Sequence, residues 1–148
     1  VVVILGILAV SASPKFLDFS KDARDSTVNS LVGTANGAVK IVYSRALIDN
    51  KASTSDESES VTVGGSTISL VYGYPNAETF SDVLDISASD WTTVEGATIT
   101  RIYPADLTAH SVSGDTFSGA SADDCYLQYT EAASEGVAPA IAATLTDC

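Results

Sequence analysis

Two hydrophobic patterns share the first third of the chain. Residues 1–10 (VVVILGILAV) form an unbroken run without a polar side chain. Further on the pattern becomes periodic: Val28, Leu31, Val32, Ala35, Ala38, Val39, Val42 and Ala46 recur at the i, i+3, i+4, i+7 spacing of an amphipathic helix. Asn29, Asn36, Lys40 and Ser44 fall largely on the other side. Between the two, Lys15–Asp18, Asp18–Lys21 and Lys21–Asp25 are opposite charges at i,i+3 or i,i+4, each adding a few tenths of a kcal/mol to a helix. Residues 1–49 therefore predict one helix about 75 Å long. A domain of this size cannot bury such a helix along its whole length, so the front half must project or pack against something else.

Pro14 and Gly6 are the weak points of that helix. Proline offers no N–H to the carbonyl of Val10 and its ring crowds that carbonyl. Ser13, just before it, is pushed away from helical angles. Gly6 costs about 1 kcal/mol against alanine in a helix interior. Two outcomes stay open: a simple kink at 10–14, or a segment from Gly6 to Pro14 able to unwind.

The apolar run itself admits several readings. It has the length of a signal-peptide core, and Ser11, Ala12 and Ser13 are small residues like those of a cleavage site. A secretion leader, however, would be removed from the mature chain. As a bilayer span it is short: ten to thirteen helical residues cover about 15–20 Å, against a hydrocarbon core of about 30 Å. The sequence holds no methionine, so residues are expected upstream of Val1.

After residue 50 the pattern becomes strand-like. Residues 51–60 (KASTSDESES) are a polar, exposed loop, and Asp56, Glu57 and Glu59 lack the glycine-anchored spacing of a calcium loop. Residues 61–72 alternate about Gly64-Gly65, the signature of a tight hairpin. Residues 72–77 read as a turn and 78–87 as a short helix. Trp91 is a core or sheet-packing residue. Residues 97–103 and 125–130 are strands, and 140–146 is a weaker one. The run 108–124, rich in Ser, Gly and Asp, reads as a long loop. The expected fold class is α+β: a long N-terminal helix (1–50) whose C-terminal half packs on an antiparallel β-sheet of an acidic head (51–148).

Charge sharpens that division. Residues 1–50 hold five Lys/Arg and four Asp/Glu, while residues 51–148 hold two and fifteen, giving −12 for the 148-residue chain. An acidic head repels phosphate backbones, so no nucleic-acid partner is expected. Cys125 and Cys148 are the only cysteines, and an even count near the terminus predicts one disulfide and an oxidising compartment. Closing a loop of about 24 residues is worth roughly 3 kcal/mol in the chain-entropy model.

Chemistry finds little footing. His110 is the only histidine and is expected to be exposed and non-catalytic. There is no G-x-S-x-G motif, no phosphate-binding glycine loop after a strand and no metal-ligand spacing. No enzymatic activity, cofactor or metal is expected.

The opening stretch VVVILGILAVSASPKF resembles the hydrophobic N-terminal helix of type IV pilins. There, apolar residues lead to a G-I-L-A run, with a proline eight residues after the glycine. Gly6-Ile7-Leu8-Ala9 and Pro14 match that spacing. The stretches ANGAVKIVYSRALIDN, LVYGYPNA, SASDWTT and CYLQYTEAA resemble the mannose-sensitive haemagglutinin subtype of the type IVa pilins. The family's processing site, N-methylated phenylalanine and early glutamate would lie upstream of Val1. Alignment on Gly6 implies about eight such residues, which would lengthen the apolar helix to roughly 21, enough to span a bilayer.

The resemblance implies a ladle-like pilin fold and a structural role as subunit of an extracellular helical filament of identical copies. Such filaments serve surface attachment, adhesion, motility or biofilm formation on Gram-negative cells. Val1, Val2, Val3, Ile4, Leu5, Ile7, Leu8 and Val10 would form the filament core. Gly6, Ser13 and Pro14 would mark where the helix kinks or melts. The disulfide loop, with Asp115, Asp123 and Asp124, would lie on the filament surface and meet a receptor of unknown kind. Before assembly the subunit would wait in the inner membrane and engage the pilus assembly machinery. The alternative is a membrane-tethered minor pilin, pseudopilin or adhesin whose head is a binding module.

Overall fold

The computed structural model describes residues 2–55, 57–119 and 124–148, with side chains described from Phe19 onward. The expectations on Val1 and Asp123 lie outside the described residues, as do the apolar side chains of residues 2–10; at Gly6, Ser13 and Pro14 the backbone alone is described, and it is helical in the single chain. The architecture is α+β. Among the described residues one helix, α1 (Val2–Ile48, 47 residues), is followed by nine strands.

α1 buries the stripe that its periodicity dictates. Val28, Leu31, Ala35, Val39, Val42 and Ala46 are all buried, while Asn29, Asn36, Lys40 and Ser44 face solvent. Each Val or Leu buried this way contributes about 1.5–3 kcal/mol. From residue 19 to 27 no helix residue is buried, and Phe19 is 68% exposed. The helix stops by a left-handed cap. Asn50 takes φ 58°, Lys51 N–H donates to Ala46 O at 2.8 Å, and Asn50 N–H donates to Leu47 O at 3.2 Å. These are the two bonds of a Schellman motif, with asparagine replacing the usual glycine.

Among the described residues the β structure forms three antiparallel sheets rather than the single one expected. β1 (Ser60–Val63), β2 (Ser66–Val71) and β3 (Tyr74–Pro75) make a small sheet. Its first hairpin turns at Gly64-Gly65, both with positive φ, as a two-residue turn between right-twisted strands demands. The main sheet has the order β4 (Trp91–Glu95), β5 (Ile99–Pro104), β8 (Cys125–Thr130), β9 (Ala140–Leu145). β6 (Ser111–Ser113) and β7 (Thr116–Ser118) form a separate hairpin.

This hairpin corrects the reading of 108–124 as a long loop. The small polar residues there hide an alternation resting only on Val112 and Phe117. The expected helix at 78–87 shrinks to a single 3-10 turn, Ser81–Val83. Two cores result. Val28, Leu31, Ala35 and Val39 pack with Ile102, Leu127, Tyr129, Phe80 and Leu84 over the main sheet. Val42 and Ala46 pack with Val61, Ile68 and Leu70 of the small sheet. The helix thus holds the main sheet and the small β1–β2–β3 sheet, which is why the head follows its C-terminal half.

Candidate functional site

Of the residues singled out by sequence, the two cysteines lie together against α1 near Arg24. Cys125, first residue of β8, and Cys148 are joined in a disulfide, with Cα atoms 4.7 Å apart. Both are buried in the main core. Two cations of α1 reach across to the same segment. Arg24 Nη1 donates to the main-chain O of Cys148 at 3.0 Å, and Lys21 Nζ donates to Leu145 O at 2.9 Å. Arg24 also grips Asp106 through Nη2 at 2.6 Å and Nε at 3.2 Å. That hydrogen bond holds the Asp106 carboxyl below the usual carboxylate range. Lys21 keeps its expected partner Asp25 at 3.6 Å, but its carbonyl partner lies 124 residues away, beyond the reach of local spacing rules.

The outer face of the main sheet carries the hairpin β6–β7. Arg101 is the pivot. Its guanidinium stacks over Phe117 at 4.1 Å and Tyr126 at 4.4 Å, and its Nε donates to Gln128 Oε1 at 2.9 Å. Tyr103, beside it, is buried, and burial pushes its phenol up. Its hydroxyl shares a 2.8 Å hydrogen bond with His110 Nδ1. His110 is therefore half-buried and partnered by Tyr103, rather than exposed as expected. A phenol seven residues upstream, on a strand, gave no sequence signal.

Asp115 sits at the exposed turn of that hairpin, but its carboxylate points back. Oδ1 accepts from the N–H groups of Thr98 at 2.6 Å and Ile99 at 3.1 Å, and Oδ2 accepts from Thr98 Oγ1 at 2.8 Å. The Thr98 amide, with the other donors, lowers its carboxyl below the usual range. The two turns approach so closely that a Cβ on Gly96 would lie 2.6 Å from Gly114 O and 2.9 Å from Asp115 Oδ1. Only glycine fits there. Asp124 is half-buried, and its main-chain O accepts from Asp147 N–H at 3.3 Å, closing the strap behind the disulfide.

Among the described residues no group of three His, Cys, Asp or Glu side chains could hold a metal ion. Among them, too, no helix is long and apolar enough to cross a membrane. No protein-family model, curated protein or solved structure matches the chain.

Proposed function

We propose that this chain is the structural subunit of an extracellular type IV pilus filament, assembled through its apolar N-terminal helix. The observation that carries the reading is the disposition of α1. Its backbone is helical from Val2 to Ile48, yet between Phe19 and Thr27 the head buries none of its residues, and burial sets in at Val28. The most apolar residues of the sequence lie N-terminal to this uncovered stretch. An apolar run of this size is intolerable in water and calls for a second solvent. Lipid supplies it before assembly; neighbouring copies supply it afterwards. A repeating heterologous contact that does not close yields an open fibre.

In this reading Val1, Val2, Val3, Ile4, Leu5, Ile7, Leu8 and Val10 pack in the fibre core. The acidic heads coat the outside and keep it dispersed. Gly6, Ser13 and Pro14 give the fibre its compliance. The disulfide knot, anchored to α1 by Arg24 and Lys21, resists tension between helix and head. The precursor resides in the inner membrane, and the fibre on the cell surface supports attachment.

Electron microscopy with mass spectrometry of sheared cell-surface material tests the proposal. Thin fibres composed mainly of this chain are expected. Recovery of the chain only as a trace component, or only in the membrane fraction, would refute the structural role.

A further inference from the structure

Trp91 is the only tryptophan of the chain, and it is half-buried at the rim of the core rather than inside it. It forms a wall between two clefts. One, of about 380 Å³, is lined by Arg24, Thr27, Asp90, Trp91, Pro104 and Asp106. The other, of about 230 Å³, is lined by Ser81, Asp82, Ile86, Ala88, Trp91 and Thr93. Both open beside β4, an edge strand of the main sheet.

The ladder fixes which backbone groups of β4 are free. Gly96 N–H donates to Ile99 O at 2.7 Å and Ala105 N–H donates to Asp90 O at 2.9 Å. Antiparallel bonding alternates, so Asp90, Thr92, Val94 and Gly96 face β5, and Trp91, Thr93 and Glu95 turn their N–H and C=O groups to the open side. The Trp91 N–H is taken by Ser87 O at 3.0 Å. Among the described residues the N–H and C=O of Thr93 and the N–H of Glu95 have no backbone partner.

We propose that this edge and its two clefts bind an extended peptide segment carrying Lys or Arg at alternate positions. An added strand would bond to Thr93 and Glu95. Its side chains on the α1 side, about 6.8 Å apart at i and i+2, would enter one cleft each, on either side of Trp91. The chemistry of the clefts selects the charge. Each pairs an apolar wall (Trp91 and Pro104, or Ile86 and Ala88) with an exposed aspartate in its lining (Asp90, or Asp82). That suits a long aliphatic stem with a cationic head, stacked on the indole. Arg24, the one cation present, does not compete. Its Nε and Nη2 are bonded to Asp106 and its Nη1 to Cys148 O. This binding is independent of filament assembly.

The lone indole reports on the site directly. The full chain in non-ionic detergent is titrated with a blocked pentapeptide alternating threonine and lysine, and with its glutamate counterpart, while Trp91 fluorescence is followed. Saturable change is expected with the lysine peptide alone, weakening as salt rises. Asp82→Asn with Asp90→Asn should weaken it about tenfold. Thr93→Pro removes an outward N–H that the β4–β5 ladder does not use, a position that tolerates proline, and should abolish binding. Equal response to both peptides, no saturable response, or undiminished binding by Thr93→Pro overturns the proposal. If Thr93→Pro does not fold, amide exchange of the unsubstituted chain decides. Thr93 and Glu95 must slow when the lysine peptide is present, and unchanged rates refute the site.

Discussion

Arg24 and Cys148 stand 124 residues apart in sequence, yet the guanidinium of one donates to the main-chain carbonyl of the other at 3.0 Å. The same side chain holds Asp106, so a single residue of α1 ties down both the disulfide knot and the loop after β5. The helix and the last residues of the head are one mechanical unit at this point.

Arg24→Met is expected to keep the fold and lower stability by about 1–2 kcal/mol, since the Asp106 pair is largely solvent-exposed and the bond to Cys148 is partly buried. The effect is local. Amide exchange should accelerate at residues 145–148 and little elsewhere. Unchanged exchange there would deny Arg24 its anchoring role.

Reduction of the Cys125–Cys148 disulfide should cost about 2–4 kcal/mol in chemical denaturation, the range for a loop of this size. The loosened strap should become the first site of protease cleavage. Full protease resistance of 125–148 in reductant would contradict this.

Asp115 makes stability acid-sensitive. Its carboxyl is lowered in the folded state, so between the folded value and the ordinary 3.8 the unfolded chain binds more protons. Its contribution is thus complete above 3.8 and is lost as pH falls through the folded value. Asp115→Asn should lower the melting temperature at neutral pH and flatten its fall in acid. Gly96→Ala, which forces a Cβ into Gly114 O, should destabilise by about 1–3 kcal/mol at any pH. A variant Asp115→Asn with an unaltered acid profile would remove the carboxylate from this account.

Pro14→Ala restores a backbone N–H and a helix-compatible residue at the predicted weak point. In the proposed filament this variant should give a longer persistence length in electron micrographs. Equal flexibility would place the compliance elsewhere.

Local patterns made much of the fold legible. The buried stripe from Val28 to Ala46 followed from its 3.6-residue period, the first hairpin from Gly64-Gly65, and the disulfide from cysteine count. What escaped depends on distant partners. Lys21 and Arg24 look like members of a surface charge ladder, and nothing near them in sequence points to Leu145 or Cys148. Asp115 looks like a solvated turn residue until the turn before β5 is folded against it. The β6–β7 hairpin is only three residues per strand, too short and too polar for alternation to stand out from a loop. Trp91 reads as a core or sheet-packing residue, and only the edge position of β4 shows what surrounds it.

The central claim is that the apolar front of α1 is an assembly element. Electron cryo-microscopy of the proposed fibre at side-chain resolution tests it most directly. The account predicts the helices bundled along the axis, with residues 1–10 packed against neighbouring copies, acidic heads outward, and helical order lost between Gly6 and Pro14. Heads that bury the axis while these residues face solvent would contradict the claim, and an unbroken helix through 6–14 would contradict the compliant segment.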